Sequence, residues 1–332
     1  MGLGEWMDLI CGAALFLYGM ALMGEGLKRL SGKRLGPILF RLTHTNARSI
    51  LLGAGVTAVI QSSSATAVMA AGFVRAGLMG LKQAVGVILG AILGTSATGW
   101  LVCLRFLGGG AFAGILSSGP LTAAAVLGIA LRLFSRRPAR QCTGEILMGF
   151  VVLMTGMEGM SGAAAGLGEL PWFQALLASV SHPLAGILAG AALGAALQSA
   201  SAAVGVLQAL SAAGTVTAQA AVPLLLGIAI GASVPVLLSA AGTGEPKTAL
   251  AYLLCTSLGT LVCACLFSIL PLFPPELSMD PFTVALANTL LRLIMVLVLC
   301  PFTDAIEEAV LLLTGSVSQG RDAPCRSRRG RA

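Results

Sequence analysis

The sequence predicts an all-α integral membrane protein built from two inverted-topology repeats, with about seven transmembrane helices and two re-entrant helical hairpins. Three observations predict it. The composition is strongly apolar, one segment recurs at a fixed offset, and the basic residues gather in short loops.

Of the 332 residues, 57% are hydrophobic and 10% charged, and the mean hydropathy is +0.94. Soluble proteins carry roughly 25% charged residues. This chain has too few to cover a surface in water, so the bilayer is its natural solvent. The net charge of +7 does not form a basic face of the kind that binds nucleic acid. Glu5 and Asp8 stand where a signal peptide would carry Lys or Arg, so the first apolar run reads as a retained span. Eight cysteines lie mostly inside apolar runs. Cys263 and Cys265 are two apart, point in different directions on a helix, and cannot chelate one metal. No disulfide framework and no cofactor are expected.

The internal repeat organises the chain. Gln61-Ser62-Ser63-Ser64-Ala65 reappears 137 positions later as Gln198-Ser199-Ala200-Ser201-Ala202. The same shift carries Gly53 onto Gly190, Gly77 onto Gly214, Gly90 onto Gly227, Gly94 onto Gly231, and Gly19-Met20 onto Gly156-Met157. Between 53–96 and 190–233, 15 of 44 positions are identical without a gap. One register joining separated anchors indicates a duplicated unit.

Charge bias gives the orientation. Lys28, Arg29, Lys33, Arg34, Arg41 and Arg48 make a basic first loop, Arg132, Arg136, Arg137 and Arg140 a second, and residues 321–331 a basic tail. Residues 165–185 and 271–281 hold Glu169, Glu276 and Asp280 without Lys or Arg, and should face outward. A span needs about 20 apolar residues, and 6–27, 83–104, 110–131, 144–164, 219–241, 248–270 and 282–302 qualify. If the remaining motif segments, 49–74 and 186–213, enter and return on one side, every basic loop falls inside. The expectation is a multi-pass protein of the cell membrane with its N-terminus outside and its C-terminus cytoplasmic. Repeat 1 covers 1–137 with hairpin 49–74, and repeat 2 covers 138–304 with hairpin 186–213. A cytoplasmic amphipathic segment and basic tail occupy 305–332. Three spans per unit, an odd number, turn the second copy upside down.

From Gly53 to Val74 and from Gly190 to Thr217 there is no ionisable side chain. Instead each segment carries a glutamine followed by hydroxyls, flanked by Gly and Ala. Irregular backbone at membrane depth survives only where it is buried in protein or lines a wet cavity. A tip with Ser62, Ser63, Ser64 and Thr66 opening a half-helix attracts an anion through unpaired N–H groups. Its hydroxyl, amide and carbonyl oxygens suit a hard cation such as sodium. Broken helices paired across an inverted repeat are characteristic of ion-coupled carriers. The competing reading is that Ser, Thr and Gln only glue helices together.

At these residues the chain resembles the bacterial sodium–phosphate cotransporter family, related to the animal type II sodium-dependent phosphate transporters. The resemblance rests on Gly53-Ala54-Gly55-Val56-Thr57-Ala58 leading to Gln61 through Thr66, on the first span from Leu15 to Gly32, and on Gly90 to Thr98. It implies inorganic phosphate bound between the hairpin tips with sodium ions beside it. Matched by position, Gln61, Ser62, Ser63, Ser64 and Thr66 form one half of the substrate site, and Gln198, Ser199 and Ser201 the other. Gln61, Ser64, Thr95, Ser96, Gln198, Ser201 and Ser233 are the candidate sodium ligands. Ala200, Ile92, Ala229 and Ala232 depart from the family pattern, as do Asn288 and Arg292 in the closing helix. The cytoplasmic regulatory domain of many relatives is not expected here. The resemblance implies a sodium-coupled symporter working by alternating access. Sodium fits the electrostatics, because burying an unpaired anion costs on the order of tens of kcal/mol by Born estimate and the motifs hold no cationic side chain.

Arg292 and Glu158 fall inside predicted spans, where charge is costly. Each is a candidate anion ligand or structural charge. Glu25 sits near a span end, and His44 and His182 fall in loops. With neither histidine in a span and no GxSxG, no enzyme activity is expected. The expected partners are inorganic phosphate, sodium and lipid, without nucleic acid, and self-association into a homo-oligomer is left open. A carrier of another oxyanion, or a channel or scaffold on the same fold, is the alternative.

Overall fold

Two helix breaks shape the protein, and both follow from the repeated Gln-Ser dipeptide. The computed structural model describes residues 3–31, 45–103, 118–167, 170–214, 216–243, 246–269 and 273–314. Lys33, Arg34, Arg41, His44, Glu169, the start of the expected span 110–131 and the basic tail lie outside the described residues.

The first copy contributes α1 (Leu3–Ser31), α2 (Asn46–Ile60), α3 (Ser63–Arg75), α4 (Leu81–Gly94), α5 (Ser96–Cys103) and α6 (Ser118–Phe134). The second contributes α7 (Pro138–Leu167), α8 (Pro171–Val180), α9 (Pro183–Leu197), α10 (Ala200–Ser211), α11 (Ala218–Gly231), α12 (Val234–Thr243) and α13 (Pro246–Ile269). Then come α14 (Pro281–Leu299), a 3-10 turn (Cys300–Phe302) and α15 (Thr303–Leu313). The starts of α2, α3 and α4 recur 137 positions later as those of α9, α10 and α11.

Six helical stretches are long and apolar enough to cross a membrane: Trp6–Ser31, Leu81–Cys103, Pro138–Gly166, Ala218–Gly242, Pro246–Ile269 and Pro281–Leu313. They match six of the seven expected spans, and α6 falls on the seventh with 17 described residues. The chain is thus a multi-span helical membrane protein. One difference lies at 165–185, expected as a loop. There α8 forms, started by Pro171 at its first turn, and bends by 106° into α9. His182 lies in the bend between α8 and α9, at the N-cap position of α9 and without a side-chain capping bond.

Glycines let the helices touch backbone to backbone. A Cβ on Gly53 would overlap the Val87 carbonyl, and one on Gly190 the Leu224 carbonyl. Gly90 sits on Ile50 as Gly227 sits on Ile187, and Gly94 on Ala54 as Gly231 on Ala191. Every pair recurs at the offset of 137, so the duplication read in the sequence is also a duplication of packing. Gly86 meets Ser49 at one end of this contact and Gly94 meets Thr57 at the other, so α2 and α4 run parallel. Between them the chain goes out through α2 and comes back through α3. At about 1.5 Å per residue, the 15 residues of α2 fall short of the roughly 30 Å hydrocarbon core.

The two copies meet along α1 and α7. Gly12 lies against Met160, Phe16 against Gly156, Gly19 against Leu153 and Met23 against Gly149. Numbers rise along α1 as they fall along α7, so the helices are antiparallel. The shift of 137 turns Gly12–Met160 into Met23–Gly149 with the partners exchanged, and Gly19–Leu153 into Phe16–Gly156.

Polar contacts group the helix ends. Glu145 lies 3.1 Å from Arg29 and 3.4 Å from Arg132, joining α7, α1 and α6. Asn46 donates to Thr303 at 2.7 Å, Lys82 pairs with Asp304, and the Lys82 N–H donates to Glu307. Trp6 stacks on Trp172 at 5.9 Å.

Candidate functional site: a serine cavity between two broken helices

Each repeated motif leaves its helix in the same way. Gln61 ends α2 at φ 60°, ψ 28°, and Gln198 ends α9 at φ 50°, ψ 22°. Among the described residues these are the non-glycine positions with positive φ. For an L residue that conformation is uncommon and costs energy. The following serine is extended and caps the next helix. Ser62 Oγ accepts from Ala65 N at 3.2 Å, and Ser199 Oγ accepts from Ala202 N at 3.3 Å. Ser62 and Ser64 share a hydroxyl contact of 3.2 Å, repeated at 3.2 Å by Ser199 and Ser201. Two helix N-termini thus carry matching hydroxyl pairs.

The two tips face one cavity of about 80 Å³, lined by Ser62, Ser63, Ser64, Gln198, Ser199, Ala200, Ser201, Ala232 and Pro235. At about 30 Å³ per water molecule, the space suits a small oxyanion or a few waters. Both N-termini favour negative charge there, and the hydroxyl oxygens can also ligate a hard cation. Among the described residues, no three His, Cys, Asp or Glu side chains gather as a metal site.

Ser62, Ser63, Ser64, Gln198, Ser199 and Ser201 are therefore brought together, while Gln61, Thr66, Thr95, Ser96 and Ser233 do not line the cavity. Thr66 is fully buried, accepts from Thr57 at 2.9 Å and donates to the Ser62 carbonyl at 3.1 Å, bracing the tip from behind. Thr95 donates to the Ala91 carbonyl, and Ser233 to that of Ile230. Gln61 Oε1 and Ser96 Oγ are buried acceptors without a protein partner. Glu158 is exposed on α7. Arg292 is buried and bonds to Asn288 and the Ile92 carbonyl instead of a carboxylate.

Sequence reasoning missed Tyr252. Its hydroxyl donates to Ser63 Oγ at 3.1 Å from within the core. The only available signal was a phenol, one of two tyrosines in the chain, inside an apolar run. Thr57 gained its role only once α2 and α3 were seen to cross at the break.

The fold and the cavity define a polytopic helical membrane protein with a small polar chamber between broken helices. The Na+/Pi-cotransporter family model matches residues 15–162. The match spans less than half of the chain and marks a resemblance to that family. The chain is 26% identical over 304 residues to the putative inorganic phosphate export protein YjbB of Escherichia coli (strain K12), covering 90% of this chain and 54% of that protein. It is 25% identical over 302 residues to the uncharacterized protein YqeW of Bacillus subtilis (strain 168), covering 90% and 94%. The chain thus spans about half the length of the enterobacterial relatives it matches. No solved structure matches it.

Proposed function

We propose that this chain is a secondary transporter of inorganic phosphate, coupled to sodium and working by alternating access. Anion and Na+ are held between the tips at Ser62–Ser64 and Gln198–Ser201. The observation that carries this reading is the single cavity lined by both serine motifs. Two helix N-termini aimed at one small space supply the dipoles an anion needs, and cations bound with it supply countercharge. Gln61 Oε1 and Ser96 Oγ, buried and unpartnered, suit a sodium site behind the first tip, with Thr95 beside it. Gln198, Ser201 and Ser233 are the counterparts of Gln61, Ser64 and Ser96 in the second copy.

The reading includes an inverted repeat in a cell membrane. A two-fold that maps α1 onto an antiparallel α7 lies across the helices, and across spanning helices such an axis lies in the membrane plane. The parallel course of α2 and α4, with α3 returning between them, favours re-entrant hairpins. The stacking of Trp6 on Trp172 favours one face for the N-terminus and the acidic loop. The Arg29–Glu145–Arg132 cluster favours the other face for the basic loops. The units then fall at 1–137 and 138–304, with α15 opening the cytoplasmic segment.

Purified protein in proteoliposomes tests the function. An inward sodium gradient should drive labelled phosphate above its equilibrium level, and dissipating the gradient should abolish accumulation. Equilibration alone would indicate a channel, and equal competition by sulfate would indicate a general oxyanion carrier. The name of the enterobacterial relatives, putative inorganic phosphate export protein, favours outward movement as a second reading. Reversing the gradient across vesicles of known orientation separates the two.

A further inference from the structure

Arg292 is a charge without a countercharge. It lies within α14 at 2% exposure, where burial in an apolar span is expensive. Its Nε donates to Asn288 Oδ1 at 2.8 Å and its Nη1 donates to the Ile92 carbonyl at 3.2 Å. Both partners are neutral. Among the described residues no carboxylate lies in ion-pair range of it. Arg292 Nη2 and Asn288 Nδ2 are buried donors with no acceptor. One turn of α14 therefore offers two unanswered donor groups and an uncompensated positive charge, and a guanidinium does not shed its proton to escape.

The neighbours give that charge a direction. Tyr252, on α13, packs in the same buried core as Leu291 and as Ile92, whose carbonyl holds Arg292. Its hydroxyl reaches Ser63 Oγ at 3.1 Å, and Ser63 lines the serine cavity.

We propose that Arg292, seated by Asn288 and the Ile92 carbonyl, is a resident positive charge that balances the oxyanion held in the serine cavity through Tyr252 and Ser63. The proposal rests on the reading of that cavity as the anion site. Arg292 is a positioning residue, since it does not line the chamber. With one positive charge built into the protein, the anion needs less countercharge from sodium than a site of dipoles alone would demand. Binding of the anion in turn relieves the cost of the buried guanidinium.

Phosphate uptake into proteoliposomes, measured against both phosphate and sodium concentration, tests this with Arg292→Gln, Arg292→Lys and Tyr252→Phe. Arg292→Gln should raise the phosphate KM about tenfold, the order expected for loss of one unit charge in a site of intermediate dielectric. It should also raise the sodium concentration needed for half-maximal uptake. Arg292→Lys should keep the sodium dependence close to wild type. Tyr252→Phe should raise the phosphate KM while leaving the sodium requirement unchanged. If Arg292→Gln lowers only the yield of folded protein and kcat, with KM and sodium dependence intact, the arginine is structural and the proposal is wrong. Should that variant fail to fold, an unchanged phosphate KM in Tyr252→Phe overturns it equally. If wild-type protein shows no sodium-driven uptake, the carrier reading itself fails. Protection of wild type and Arg292→Gln against heating by inorganic phosphate in sodium-free buffer then still decides the role of Arg292: equal or absent protection overturns it.

Discussion

Gln61 and Gln198 hold the same left-handed backbone, at φ 60° and φ 50°, in equivalent places of the two copies. Glycine would adopt it without cost, and both copies are rich in glycine, yet both use glutamine. A strained conformation kept at two equivalent points, each followed by a serine cap, indicates that the amide side chain is needed where the helix breaks.

Substituting Gln61 by Gly and by Ala separates backbone from side chain. Both variants should abolish phosphate transport, since both remove the buried Oε1. Gln61→Gly should nevertheless be more stable than Gln61→Ala by about 1 kcal/mol, because Ala keeps the left-handed penalty. Uptake assays and thermal unfolding in detergent check the two halves. Undiminished uptake in either variant would remove Gln61 from the site.

Helix contact in the two copies is equally sensitive. Gly53→Ala and Gly190→Ala each push a methyl into a carbonyl of the facing helix. Overpacking of this kind costs about 1–3 kcal/mol, so both should lower the unfolding temperature by similar amounts. Gly55→Ala, where a Cβ meets nothing within 4 Å, should be neutral or slightly stabilising. A large difference between the first two would contradict the equivalence of the copies.

Ser63 and Tyr252 form the third test. Ser63→Ala leaves a buried phenol without its acceptor, at about 1–3 kcal/mol, and removes a hydroxyl from the cavity. The double substitution Ser63→Ala with Tyr252→Phe should recover part of the lost stability, as no polar group is then stranded. Thermal unfolding of the four proteins in the cycle measures this, and strict additivity would show that the bond contributes nothing.

Much of this was legible because the deciding residues stand out chemically. An apolar run of span length reads directly as a transmembrane helix. The doubled Gln-Ser dipeptide among glycines and alanines marked the helix breaks and the cavity wall in advance. What stayed hidden depends on distant packing. Nothing near Tyr252 in the sequence announces that its hydroxyl reaches Ser63, 189 positions away. Thr66 read as a site residue by its place in the motif, but the helical turn aims its hydroxyl at Thr57 and the Ser62 carbonyl. Residues 165–185 read as an outward-facing connection because they hold Glu169 without Lys or Arg, yet 171–180 form a short helix.

Orientation in the membrane supplies the last prediction. In the proposed reading the copies point opposite ways, which accounts for the exchange of partners across α1 and α7. Equivalent sites in the two copies should then lie on opposite faces. Gly77 and Gly214 are such a pair, each at positive φ in the turn that follows the returning half-helix. A single cysteine at Gly77 is unsuitable because of that backbone, but neighbouring Leu78, half exposed, and Ala213 in the second copy tolerate one. In a background freed of native cysteines, Ala213→Cys should react with a membrane-impermeant thiol reagent in intact cells. Leu78→Cys should react only after the membrane is opened. Arg136→Cys, in the basic link between α6 and α7, should behave like Leu78→Cys. Labelling of both loop positions from the same side would mean parallel copies, and a pair of tips entering from one face could not alternate access to a shared cavity.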